Sequence, residues 1–194
     1  MKLKTTLFII FSFFAFNLSG EESRFRLLQS IDSKVEKFKN KTASIDITTD
    51  SDYKNSAKSV EIHYILSNNV GFNYVKSEVD SKGLGVLLSF ESNSYGASYL
   101  FGNENINLQI GINLTGETDI KELSDNDGDY TNQFKISSSN YRDYSLNFGL
   151  GITKNIELIV GFRAYQLEFD LKNESTNQFE INYNTKMIGI GIIF

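Results

Sequence analysis

Apolar and polar residues alternate along much of the chain from residue 57 onward. In NINLQIGINLTG, the even-numbered residues from Ile106 to Leu114 are apolar, and the odd-numbered ones between them are Asn, Gln or Gly. YSLNFGLGIT, which begins at Tyr144, repeats the pattern. A period of two is typical of a β-strand with two different faces. The cleanest runs reach about nine to eleven residues, the length that a tilted strand needs to cross the hydrocarbon core of a membrane.

The polar face of these runs consists mainly of Gly, Ser, Asn, Thr and Gln. A face in contact with water would usually carry Lys and Glu, whereas the crowded interior of a narrow barrel favours small side chains that form hydrogen bonds. We therefore predict that the polar face points into a barrel and that the apolar face points to lipid.

The connections between the runs alternate in length, as in outer-membrane barrels, which have short periplasmic turns and longer outer loops. Short turns are predicted at 67–69, 102–104 and 154–155, and longer connections near 51–56, 79–83, 117–142 and 172–177. The sequence thus predicts an all-β fold, an eight-stranded antiparallel up-and-down transmembrane β-barrel over 42–194. Its strands are placed at 42–50, 57–67, 70–79, 83–101, 105–117, 142–153, 156–171 and 178–194.

The apolar positions change parity within three of these strands. In 83–101 they are even up to Phe90 and odd from Tyr95, which a β-bulge or an extra hairpin near 92–94 would explain. We retain eight strands, because the hairpin alone would move the 117–142 loop to the periplasmic side. Similar changes after Phe162 and after Tyr183 predict that the last hairpin extends above the membrane with packing of its own.

Two segments precede the predicted barrel. Lys2 and Lys4, the apolar run LFIIFSFFAF and the following NLSG predict a cleaved signal peptide over 1–20, and therefore export. Residues 21–41 are charged, with apolar residues three to four positions apart, which favours a short amphipathic periplasmic helix. The alternative is that RFRLL begins a strand.

Composition excludes several kinds of chemistry. The 194-residue chain has no Cys, one His and a formal net charge of −5. Disulfides, thiol catalysis and a multi-His metal site are therefore excluded, and the acidic balance argues against nucleic acid as a partner. No cofactor is expected.

The segment YSLNFGLGITKNIELIVGFRAY, residues 144–165, resembles the strand–turn–strand of small outer-membrane barrels of the OmpA, OmpX and OmpW type. The chain end is similar to the signal that such proteins present to the barrel-assembly machinery, with Gly189, Ile192 and Phe194 at the matching positions. Met187 departs from that signal, because a polar residue is usual there. The resemblance covers roughly 57–194 and implies an outer-membrane location in contact with lipid, with the assembly machinery as a partner.

Four charged or titratable residues should face the lumen by their parity: Glu61, His63, Glu157 and Arg163. Buried charges need partners, and long side chains can meet across a narrow barrel. We hypothesise that Glu61 and Arg163 pair there, within a polar network that plugs the lumen. The alternative is that each binds water or the backbone.

Catalytic and metal sites are not expected. Lipid A deacylases resemble Ser-His-Glu hydrolases with a His-x-Ser pairing, but His63 is followed by Tyr64 and Ile65. The acidic stretch DNDGDY, residues 125–130, lacks the complete EF-hand pattern and fits a solvated surface loop better than a Ca²⁺ site. The favoured role is structural or surface interaction, without enzymatic activity. The alternatives are a narrow OmpW-like channel for small or apolar molecules, a lipid-modifying enzyme and a soluble secreted β-protein.

Overall fold

The computed structural model describes residues 22–46, 52–172 and 176–194. Within these ranges, eight long strands pair antiparallel with their neighbours in the chain, and the last also pairs with the first. The fold is thus a closed up-and-down barrel, which confirms the predicted fold class. Its strands are β1 (Arg24–Asn40), β2 (Tyr53–Ile65), β3 (Val70–Gly83), β4 (Val86–Gly102), β5 (Ile106–Asp125), β6 (Lys135–Thr153), β7 (Ile156–Lys172) and β8 (Thr176–Ile193).

Three smaller elements lie outside this wall. The two-residue strand Ile45–Asp46 pairs with β1, Gly128–Asp129 pairs with β5, and Thr131–Gln133 forms a single 3₁₀ turn. The predicted signal peptide, 1–20, lies outside the described residues. No described helix is long and apolar enough to cross a membrane.

The predicted helix over 21–41 is wrong, because Arg24–Asn40 forms strand β1. Two register shifts against β8, at Ser30/Asp32 and at Val35/Lys37, each insert an extra residue into β1. Leu28 and Phe38 are buried in the lumen, whereas Leu27 and Ile31 point outward. The apolar residues three to four positions apart therefore belong to both faces of a bulged strand, and not to one face of a helix.

The barrel consequently begins earlier in the chain than predicted. The closing strand β8 pairs with β1, in the register Phe25 to Ile192. Within 42–50, Ile45–Asp46 makes two pairs with β1, and 47–50 lie outside the described residues. The alternative reading, in which RFRLL begins a strand, is correct.

One end of the barrel carries the predicted tight turns. These connect β2 to β3, β4 to β5 and β6 to β7. Ser23, directly before β1, and Phe194 meet at the same rim, where Ser23 N donates to the Phe194 carbonyl at 2.8 Å and Phe194 N donates to the Ser23 carbonyl at 3.0 Å. Phe194 therefore lies at the rim that carries the tight turns.

Two of the connections at the opposite end are shorter than predicted. The expected loop at 79–83 is strand, and β3 turns into β4 through Leu84 and Gly85 alone, both with positive φ. The expected loop at 117–142 is largely β5 and β6, with only 126–134 between them. The strands therefore extend further from the tight turns than the alternating apolar runs indicated.

An apolar belt surrounds the outside of the barrel next to the tight turns. On β5 it runs from Ile106 to Leu114, on β6 from Tyr144 to Ile152, and on β8 from Ile188 to Phe194. Nine residues of a strand tilted by about 40° span about 20 Å, close to the apolar band of about 25 Å on transmembrane barrels.

Beyond the belt, the inward face of the strands is apolar and the outward face is polar, which is the reverse of the arrangement at the belt. On β4, the even-numbered residues point inward at both levels: Ser94 and Ser98 inside the belt, and Leu88 and Phe90 above it. The outward face above the belt carries charged residues such as Glu91. The parity change in the sequence is therefore an inversion from an apolar exterior to an apolar interior.

This inversion replaces both explanations proposed for 83–101. Val86–Gly102 is one continuous strand, so no extra hairpin forms at 92–94. Register shifts do occur against β5, but the extra residues, Lys121 and Leu114, belong to β5 and not to β4.

The last hairpin extends beyond the belt, as predicted. Its inward side chains, however, pack against residues of other strands and not only against each other. Phe169 and Phe179 stack with ring centroids 5.4 Å apart, and Phe38 of β1 and Phe90 of β4 contact the same group. The upper lumen thus contains one aromatic core contributed by strands around the barrel.

Candidate functional site

At the level of the belt, the lumen holds a buried polar network. It contains three cations, Arg24, Arg26 and Arg163, and three carboxylates, Glu61, Asp143 and Glu157, all at most 5% exposed. An unpaired buried charge is costly. Because the network has as many carboxylates as arginines, its positive and negative charges balance and can form ion pairs.

The upper half of the network is centred on Arg163 of β7. Its Nη2 donates to Glu61 Oε2 at 2.7 Å, and its Nη1 donates to Asp143 Oδ1 at 2.6 Å. Its Nε also contacts Glu61 Oε1. One guanidinium therefore joins β2, β6 and β7 across the lumen, in the forked geometry that favours arginine over lysine.

The lower half is centred on Glu157 of β7. Arg26 binds this carboxylate with two bonds, Nε to Oε1 at 2.7 Å and Nη2 to Oε2 at 2.8 Å. Arg24 Nη1 and Asn107 Nδ2 donate to Oε2 at 3.2 and 2.9 Å. This half ties the first strand to β5 and β7.

Gln109 and His63 join the two halves. Arg26 Nη1 donates to Gln109 Oε1 at 2.8 Å, so the amide nitrogen of Gln109 faces His63 Nδ1, also at 2.8 Å. His63 Nε2 lies 2.7 Å from Glu61 Oε2. This pattern assigns the proton of a neutral His63 to Nε2, which donates to Glu61.

Glycines on the polar face provide space for these long side chains. A Cβ placed on Gly191 of β8 would lie 2.4 Å from Glu157 Oε1, and one on Gly149 would lie 2.4 Å from Asn107 Oδ1. Gly191 of the closing strand thus leaves room for a carboxylate from the neighbouring strand β7.

The structure brings all four sequence-predicted lumen residues into the network. Glu61 and Arg163 are in direct contact, His63 contacts Glu61, and Glu157 lies in the lower half with Arg26. Sequence reasoning missed Arg24 and Arg26, because they were assigned to the helix. The alternation in RFRLL was the signal that could have placed them on an inward face.

Asp143, Asn107 and Gln109 also belong to the network, although the sequence did not predict them as partners of the charged residues. The alternating pattern had already placed Asn107 and Gln109 on the polar face, but amides were not weighed as partners for charges. Asp143 stood next to the predicted 117–142 loop, so its inward position was not considered.

The aromatic core covers the network on the side away from the tight turns. Tyr141, Tyr165 and Tyr183 form its lowest layer, with centroids 4.6 Å apart for Tyr141 and Tyr165 and 4.2 Å apart for Tyr165 and Tyr183. Both levels of the lumen are therefore filled by buried side chains.

The acidic stretch 125–130 forms a turn at the end away from the belt. Asp125 Oδ1 accepts hydrogen bonds from the backbone of Asp127 and Gly128, at 2.7 and 3.1 Å. Hydrogen bonds from the Thr131 side chain and backbone lower the pKa of Asp129. In the described part of the chain, no group of three or more His, Asp or Glu residues is arranged to hold a metal ion.

Comparison with solved structures shows the same fold in small outer-membrane proteins. OprG from Pseudomonas aeruginosa is 15% identical, with a TM-score of 0.51 over 90% of this chain and 96% of that protein. Neisserial surface protein A is 12% identical, with a TM-score of 0.53 over 88% and 95%. Ail, the attachment invasion locus protein of Yersinia pestis, is 15% identical, with a TM-score of 0.51 over 90% and 99%. No protein-family model matches the sequence, and no curated protein matches it significantly.

Proposed function

We propose that this protein is a closed outer-membrane barrel with a structural or surface-interaction role. The observation that carries the proposal is the bridge from Glu61 through Arg163 to Asp143, which crosses a lumen without solvent exposure at any of the three residues. A conducting pore needs a continuous aqueous path, and the described side chains occupy that path.

The apolar belt supports placement in a membrane. Large apolar side chains such as Ile190, Phe148 and Leu114 would be costly in water, whereas lipid accommodates them. The signal-like residues 1–20 fit export, and a closed barrel satisfies its backbone hydrogen bonds within hydrocarbon. We therefore place the tight turns in the periplasm and the opposite end outside the cell.

The part above the belt supports the interaction role. Here the strands are polar outside and apolar inside, like those of a water-soluble barrel, and ion pairs such as Lys121 to Glu78 at 2.6 Å cover the outer face. The protein would thus present a rigid β-barrel head to the medium, with 126–134 as its longest fully described connection.

Non-enzymatic character is also part of the proposal. His63 has both ring nitrogens engaged, by Glu61 and Gln109, and it is fully buried. A general base must reach the proton of a bound substrate, and this imidazole has no open side. The position of His63 fits a structural role, in which its ring connects Glu61 to Gln109.

We further propose that the chain end is read by the barrel-assembly machinery. The Phe194 side chain is exposed at the periplasmic rim, and Ile192 lies on the outer apolar face. Gly189 is packed against β1, where a Cβ would lie 2.3 Å from the Leu27 carbonyl oxygen. Removal of Phe194 should lower the amount of assembled barrel in cells while purified protein still refolds in detergent.

The placement is tested by labelling with a membrane-impermeant maleimide, because the chain has no native Cys. Gly128→Cys, at a position with no atom within 4 Å of a new Cβ, should be labelled in intact cells. The control Lys154→Cys, in a tight turn, should be labelled only after the outer membrane is opened. Labelling of Lys154→Cys in intact cells would overturn the proposed orientation. The closed lumen is tested separately, because solute uptake by liposomes that contain the protein would favour a channel.

A further inference from the structure

The barrel wall has a lateral opening between β1 and β2. The two strands pair from Arg24–Ile65 to Gln29–Val60, and no pairing between them is present beyond that point in the described residues. β1 nevertheless continues to Asn40, and β2 begins at Tyr53. The Ser30 hydroxyl marks the base of the opening, where it accepts a hydrogen bond from Ser59 N at 2.9 Å.

A cavity of about 520 Å³ lies at this opening. Ser30 and Ser33, which are partly exposed, lie in its lining, together with Ser59 and Ser77, which are buried. Ile31, the extra residue of the first bulge in β1, is 65% exposed at its edge. The cavity thus combines groups that form hydrogen bonds with a large apolar side chain.

The opening lies at the upper edge of the apolar belt. Val60 and Ile31 are among its last apolar residues on β2 and β1, and the next outward residues along these strands are Lys58 and Asp32. In the proposed orientation, this is the height at which the headgroups of the outer leaflet meet the acyl chains.

The charges around the cavity leave one cation available. Three of the four charged side chains that line it form ion pairs with residues outside it: Asp32 with Lys186, Lys76 with Glu91, and Glu78 with Lys121. The fourth, Lys58, is exposed and has no ion-pair partner in the described part of the chain. A negatively charged group would complete this set.

We propose that the cavity binds an anionic lipid of the outer leaflet. The anionic headgroup lies at Lys58 and accepts hydrogen bonds from the hydroxyls of Ser30 and Ser33, and an acyl chain follows the belt beside Ile31 and Val60. This inference rests on the proposed membrane placement, and it adds a specific lipid site to that placement.

The test uses tryptophan as a reporter, because the chain contains none. Ile31→Trp places the reporter at the cavity, and Phe148→Trp places a second one in the belt on β6. Each refolded protein is studied in vesicles that contain brominated phosphatidylglycerol or brominated phosphatidylcholine at equal mole fraction, and quenching is measured. One lysine near an anionic lipid should produce about fivefold preference for the anionic lipid at Ile31→Trp. Phe148→Trp should show no preference.

Charge variants then identify the binding group. Lys58→Gln in the Ile31→Trp background should abolish the preference, and Lys58→Arg should retain it. The matched control Lys54→Gln, on the same face of β2, should leave it unchanged. Equal quenching by both lipids at Ile31→Trp, or a preference that survives Lys58→Gln, would overturn the lipid site. Absence of quenching at Phe148→Trp would instead contradict the membrane placement.

Discussion

Gln109 Nε2 lies 2.8 Å from His63 Nδ1, and this contact joins the two halves of the buried network. On one side, Gln109 accepts from Arg26, which binds Glu157. On the other, His63 contacts Glu61, which binds Arg163. The lumen is therefore closed by one connected set of side chains from strands on opposite sides of the barrel.

The contact should be measurable as a coupling energy. In a double-mutant cycle with Gln109→Ala and His63→Ala, we expect a coupling of about 0.5–3 kcal/mol in the free energy of unfolding, because the residues belong to one network. Urea unfolding of the refolded barrel in micelles, followed by circular dichroism, provides the measurement. Additive effects of the two substitutions would show that the halves are independent.

Arg163 should be the most sensitive member of the network. Arg163→Met leaves Glu61 and Asp143 buried without their cation, and breaking a buried pair in this way costs about 3–5 kcal/mol. Lys186→Met is the control, because its ion pair with Asp32 is exposed and ion pairs in water contribute little to stability. Similar losses of unfolding free energy for both variants would contradict the account of the network.

Gly191 should tolerate no side chain, because a Cβ there would meet the Glu157 carboxylate. We expect Gly191→Ala to destabilise the barrel by about 1–3 kcal/mol through overpacking. Gly128→Ala, where a new Cβ meets no atom within 4 Å, should change stability by less than about 0.5 kcal/mol. The heat dependence of migration in detergent gels ranks the two variants, and equal melting would refute the packing argument.

The aromatic core above the belt should contribute strongly to stability. Phe169 is buried, so Phe169→Ala should cost about 3–5 kcal/mol of unfolding free energy. Phe148→Ala removes the same group from the outer belt, where detergent or lipid replaces its neighbours, and its cost should be clearly smaller. Chemical unfolding in micelles compares the two, and the reverse order would indicate that the core is loosely packed.

The sequence predicted the part of the fold that has a simple periodicity. The alternation from Ile106 to Leu114 gave both the strand and its outward face, because belt and lumen impose opposite chemistry on successive residues. Phe90 does not follow this rule, because above the belt the inside of the barrel is apolar and the outside is exposed to water. Arg26 was missed for another reason, since two bulges in β1 disturbed the period of two that would have revealed it.

The candidate site was predictable to a similar degree. Parity placed Glu61, His63, Glu157 and Arg163 on inward faces, and scarcity of charge suggested that they would pair. Their actual partners depend on the register between strands distant in the chain, such as β1 with β8, and on glycines that make room for long side chains. Neither feature has a local signature in the sequence.

The closed lumen is tested most directly by single-channel recording in a planar lipid bilayer. The refolded full barrel is inserted, and a porin of known conductance is recorded under the same conditions to verify the assay. We expect no discrete current steps, because the network around Arg163 and the aromatic core fill the lumen. Reproducible steps whose size rises with salt concentration would contradict this expectation.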